Sequence, residues 1–219
     1  MFFNPMIFFF ILMFFFLMVQ IDIIAVVFKA IGIPSHYVFA ALLATLFGSF
    51  INIPLKRIPQ EGMTSEKVVT FFGSRHVVPA WNRKETTLAV NLGGAVIPTL
   101  LSAYLLFKSG LWVKAFLATA VVAVISFKMA KPVKGVGIAM PAFIPPILAA
   151  LISVLIAGRE APVVAYICGT LGTLIGADIL NLKKIGGLGA PVASIGGAGT
   201  FDGIFLNGIL AVLLSSFLA

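Results

Sequence analysis

Apolar runs long enough to cross a bilayer follow one another along this chain, and a spanning helix needs only about 20 such residues. From Met1 to Phe28 only Asn4, Pro5, Gln20 and Asp22 interrupt the first run. Further runs fall at about 37–55, 86–107 and 111–127, after Pro146, at about 162–182, and from Gly199 to Ala219. With 61% hydrophobic and 10% charged residues, too little polar surface remains for a soluble globule of 219 residues. The sequence therefore predicts an all-α fold, residues 1–219 forming one integral membrane domain of about seven spans, some of them broken.

The opening Met-Phe-Phe-Asn-Pro has no basic n-region, so the first run is expected to stay in the protein as a helix. Asp22, seven residues before Lys29, reads as a helix-end residue reaching toward the interface. The net charge of +8 comes from basic residues at the ends of apolar runs, where they set orientation. Lipid bilayer is the expected partner and nucleic acid is not. If the segment 56–85 is cytoplasmic, eleven basic residues share its side, against Lys29, Lys108, Lys114 and Arg159 on the other. That asymmetry predicts a multi-pass protein of the cell (inner or plasma) membrane with its N-terminus inside.

The polar segment 56–85 is read as a cytoplasmic loop. Within it, Lys67-Val-Val-Thr-Phe-Phe and Arg75-His-Val-Val flank Gly73-Ser74, the pattern of a small β-hairpin. Elsewhere Asn91-Leu-Gly93-Gly94-Ala-Val-Ile-Pro98 and Gly135 to Pro146 weaken helices, and such breaks survive in lipid only where protein or a water-lined cavity satisfies the freed backbone. Gly172 and Gly176 form a Gly-xxx-Gly face for close helix approach. No metal or cofactor is expected. Cys168 stands alone, and neither His36 nor His76 belongs to a His-Glu-x-x-His pattern.

Two carboxylates stand out because they lie in apolar, glycine-rich stretches where a charge costs a few kcal/mol, roughly 2.5–3.5 at a helix centre. Asp178 follows Gly176-Ala, and Asp202 follows Gly199-Thr-Phe and precedes Gly203. The predicted topology places both at the cytoplasmic side on consecutive helices. Two like charges in a low-dielectric site cannot both ionise, so the pair would share a proton. One acid then activates water while the other polarises a carbonyl. Gly176, Gly199, Gly203, Asn91 and Pro141 are the expected substrate-contacting positions, the glycines because they let a substrate backbone approach closely. The structural alternative has the aspartates capping helices or balancing Lys183 and Lys184.

On Asn91-Leu-Gly-Gly-Ala, Pro145-Pro146, Gly176-Ala-Asp178 and Gly199-Thr-Phe-Asp202-Gly, the chain resembles a family of prokaryotic multi-spanning membrane proteins of unknown function. The last two motifs are also remotely similar to those of intramembrane aspartyl proteases of the presenilin and prepilin-peptidase type. That resemblance implies a catalytic pair at Asp178 and Asp202 acting on transmembrane protein substrates. It departs from the type in Thr200-Phe201, which separate Gly199 from Asp202, and in the absence of a Tyr-Asp pair. The competing readings are a transporter or ion-coupled carrier, its site built from the breaks at Asn91–Pro98 and 135–146 with Asn181 and Asn207, and a non-catalytic membrane assembly factor.

Overall fold

The computed structural model describes residues 22–59, 67–71, 74–78, 85–133, 137–141, 143–187, 190–197 and 203–219. Seven helical elements carry the apolar runs: α1 over 22–30, α2 Val38–Ser49, α3 Ile97–Ser109, α4 Trp112–Met129, α5 Ile144–Ala157, α6 from Ala161 through wider π-helical turns to Asp178, and α7 Gly203–Leu218. Among the described residues, three stretches are long and apolar enough to cross a membrane: Leu92–Ser109, Trp112–Met129 and Ile144–Ile185. The last is bent back on itself at Gly158, whose φ of 56° ends α5, so that Ala149 on α5 comes to lie beside Gly169 on α6. The apolar parts of α2 and α7 described are shorter than a full span.

Helix packing follows residue size. On α4 the buried positions are Ala115, Ala118, Val122, Ala123 and Ser126, while Val113, Phe116, Leu117, Val121 and Val124 face outward. Leu151 and Leu155 do the same on α5. Small residues inside and large apolar ones outside invert the soluble pattern, because lipid gives no reward for hiding Phe or Leu, and close backbone contact must hold the helices together.

The ends of the bundle are pinned by charge. At one end the Lys108 ammonium donates to the Gly32 carbonyl and Lys114 pairs with Glu160. At the other end lies a feature that the apolar pattern did not announce, a three-stranded sheet ordered β1–β4–β7, formed by β1 Asn52–Pro59, β4 Glu85–Asn91 and β7 Val192–Ile195. The fold is thus mostly helical with small sheets, and three expected boundaries move. α2 stops at Ser49 instead of continuing to Leu55 because Pro54 and Pro59 exclude helix; both are tolerated in β1, an edge strand with a bulge after Pro54. Residues 86–91, expected as the start of a span, form the central strand β4, antiparallel to β1 and parallel to β7. α5 starts at Ile144, before the two prolines, since the first helical turn has no N–H bonds for Pro145 and Pro146 to break.

The expected hairpin is present as β2 Lys67–Phe71 and β3 Ser74–Val78, paired so that Phe71 meets Ser74. Antiparallel pairing also joins β5 Lys131–Val133 to β6 Gly137–Ala139, the latter within the 135–146 stretch expected to break a helix.

Candidate active site

α6 begins at Ala161-Pro162, with the proline in its first turn, and turns π-helical over Cys168–Gly172 and again over Leu174–Asp178. Such widened turns recur at functional sites in other helices. The Gly-xxx-Gly face works as the sequence implies, and its partner is α4. A Cβ added at Gly172 would stand 2.7 Å from Val122 Cβ, and one at Gly176 would collide with the Ala123 carbonyl oxygen. Gly176 is therefore committed to close packing against α4.

At the end of these turns the chain delivers Asp178, which is partly buried. Its Oδ2 accepts the backbone N–H of Gly196 at 2.7 Å. Gly196 adopts φ 85°, and a Cβ there would lie 2.6 Å from the Ala95 nitrogen, so this residue has to be glycine to fit between the carboxylate and the 94–95 turn. Beneath the contact Ala95, Leu174 and Ile204 form a small apolar cluster, with Val90 and Ile195 packed on it. Among the described residues the ion pairs are Arg57–Glu85 and Lys114–Glu160, and neither involves Asp178. Lys184, a candidate counter-ion in the sequence, lies instead over the Phe127 ring at 4.8 Å.

The other expected site residues fare differently. Asp202 and Gly199 lie outside the described residues. Gly203 opens α7, and Pro141 is exposed between β6 and α5. Asn91 is fully buried and its amide is spent on structure. Its Nδ2 donates to the Ser49 carbonyl at 2.6 Å and to Asn52 Oδ1 at 3.0 Å, while its Oδ1 accepts the Gly94 N–H at 2.8 Å. Asn52 Oδ1 also accepts from Ser194 Oγ at 2.6 Å, so this one network ties the end of α2, all three strands of the sheet and the turn that starts α3. Asn91 is a cap and a knot here. The position just before an apolar helix was the available signal, since Asn is among the favoured N-cap residues.

Replacing Asn91 by Ala leaves the Gly94 N–H and the Ser49 carbonyl without these partners. We expect a destabilisation of about 2 kcal/mol, the scale of a lost cap plus unsatisfied buried groups. Thermal unfolding of the purified protein in detergent checks this, and an unchanged midpoint would show that the network contributes little.

Asn181 performs a similar service at the far end of α6. Its Nδ2 donates to the Gly176 and Ala177 carbonyls at 3.0 and 2.9 Å, closing the turn from which Asp178 projects. The turn that carries Asp178 is thus closed by Asn181, and the carboxylate itself is met by Gly196.

A carboxylate held at the end of a helical membrane bundle beside a small sheet defines the class: a membrane protein with a buried polar centre near one end. The chain belongs to the family described as Protein of unknown function (DUF1614), which it matches over residues 46–214. That match takes in α3 to α6, the sheet and Asp178, along with most of α7. No curated protein and no solved structure matches the chain.

Proposed function

We propose that this is a seven-span protein of the cell membrane, N-terminus inside, and that it is an intramembrane aspartyl endopeptidase in which Asp178 and Asp202 share a proton and activate water. The topology is supported by the bundle ends. Lys56, Arg57, Lys128, Lys131, Lys183 and Lys184 belong to segments at the sheet end, which the positive-inside rule makes cytoplasmic. Helices α3, α4 and α6 with their adjoining turns are each about 27 Å long at 1.5 Å per residue, close to the hydrocarbon thickness.

The observation that carries the catalytic reading is the bond from Gly196 to Asp178. It anchors, against this carboxylate and without any cation among the described residues, the segment that reaches Asp202 six positions later. Oδ2 is fixed by the amide of Gly196. In the proposed step the ionised acid takes a proton from water as the water oxygen attacks the scissile carbonyl, whose oxygen is hydrogen-bonded by the protonated acid. The tetrahedral intermediate then expels the amine, which leaves with a proton. A substrate has to be extended for its carbonyl to be reached. β7, which ends one residue before Gly196, pairs with β4 on one edge and with no described strand on the other, so an unwound transmembrane segment could add there as a further strand.

The carrier reading built its site from the breaks at Asn91–Pro98 and 135–146 with Asn181 and Asn207; the Asn91 amide is taken up by Ser49, Asn52 and Gly94. The test of the protease reading is cleavage of a transmembrane reporter in liposomes holding the purified protein. Wild-type cleavage that disappears in Asp178→Asn and in Asp202→Asn supports it, and cleavage retained in either variant overturns it.

A further inference from the structure

Midway along the bundle, where α6 meets α7, polar atoms are buried with no full set of partners among the described residues. Asn207 is 3% exposed, and its Nδ2 donates to the Gly169 carbonyl at 2.8 Å and to Thr173 Oγ1. Those two acceptors fix the orientation of the amide, which leaves Oδ1 as a committed acceptor without a donor. Thr170 Oγ1 and the Tyr166 hydroxyl, both on residues with no solvent exposure, are neighbours of each other and have no further partner among the described residues. They belong to one neighbourhood. Tyr166, Thr170 and Thr173 are spaced four and three residues apart on α6, hence along one face, and a Cβ added at Gly208 would meet Thr170 Oγ1 at 2.6 Å and Tyr166 Cε2 at 3.1 Å.

An orphaned amide oxygen beside two hydroxyls costs roughly 1–3 kcal/mol for each group left unsatisfied, so such groups in native proteins have partners, commonly ordered water. Here the partner must accept from or donate to a hydroxyl and also donate to an amide oxygen, at a place with no formal charge. We infer that α6 and α7 enclose an intramembrane water site, in which water donates to Asn207 Oδ1 and is held by the Thr170 and Tyr166 hydroxyls. Two to four polar partners is what a buried water requires, and this cluster supplies three. The site stands whether or not Asp178 is catalytic.

The test is X-ray hydroxyl-radical labelling of the full chain in lipid nanodiscs, read residue by residue by mass spectrometry. Radicals form on water, so a buried side chain is modified only if water sits against it. Tyr166 should be labelled several-fold more than Phe205, which is as deeply buried. The labelling should fall to the Phe205 level in Asn207→Leu and fall markedly in Thr170→Val, which keeps the side-chain shape if the leucine variant does not fold. Tyr166 labelled no more than Phe205 in the wild type overturns the inference. So does labelling that changes when sodium chloride is replaced by choline chloride, since that result would assign the site to a monovalent cation.

Discussion

Asp178→Asn is expected to lower cleavage of a transmembrane substrate by at least about 100-fold, the low end of what a positioned acid or base contributes. The change is nearly isosteric, and the new amide oxygen can still accept the Gly196 N–H. What is lost is the ability to hold or release a proton. The yield and unfolding temperature of the variant should therefore stay close to those of the wild type. This separates the chemical role from a structural one: a carboxylate that merely anchors the 196 turn would show little change in rate, and one whose charge mattered to folding would show a changed unfolding temperature. Initial rates on a purified reporter, with circular dichroism melts of the same samples, give both readouts.

The largest expected effect on folding is at Gly176. Even the first carbon of a side chain there collides with the Ala123 carbonyl oxygen and stands 2.8 Å from Ser126 Cβ, and a main-chain oxygen in a helix cannot swing aside. Gly176→Leu must push α6 off α4. Overpacking of this kind costs about 1–3 kcal/mol where side chains yield, and more where backbone has to move. Against a total stability of about 5–15 kcal/mol, a large fraction of the protein should fail to reach the folded, monodisperse state in detergent. Leu155→Ala, on an outward face that is 85% exposed, is the matched control and should behave as wild type. A Gly176→Leu protein with wild-type yield and melting would show that the α4–α6 contact is looser than described.

The helices could be read from the sequence because each is a run of apolar residues, and the Gly172–Gly176 face because the two glycines fall four apart. The sheet could not. Its strands are short, β4 looks like the polar start of a span, β7 is four residues inside a glycine-rich loop, and the β4–β7 pairing joins residues more than a hundred positions apart. No local pattern encodes a contact of that range. Asn91 was visible as a polar residue in an apolar setting, but whether such a group binds a ligand or ties the chain depends on which partners reach it. Four segments converge on it, and only the fold reveals that. Asn207 was visible in the same way, whereas Tyr166 and Thr170 look like ordinary lipid-compatible residues until their burial beside Asn207 is known. Asp178 was the most legible element of the site, since a carboxylate after a glycine-rich apolar run demands an explanation.

Proximity of Asp178 and Asp202 is the claim on which the catalytic account turns, and cysteine cross-linking measures it most directly. In a Cys168→Ser background, which removes the only native thiol, the double variant Asp178→Cys/Asp202→Cys is treated in membranes with a short bis-thiol reagent, and Arg57→Cys/Thr87→Cys, directly paired across β1 and β4, serves as a positive control. The account predicts efficient intramolecular linkage of both pairs, seen as protection of both thiols and a linked peptide in the mass spectrum. Linkage of the control pair with none between positions 178 and 202 would contradict it.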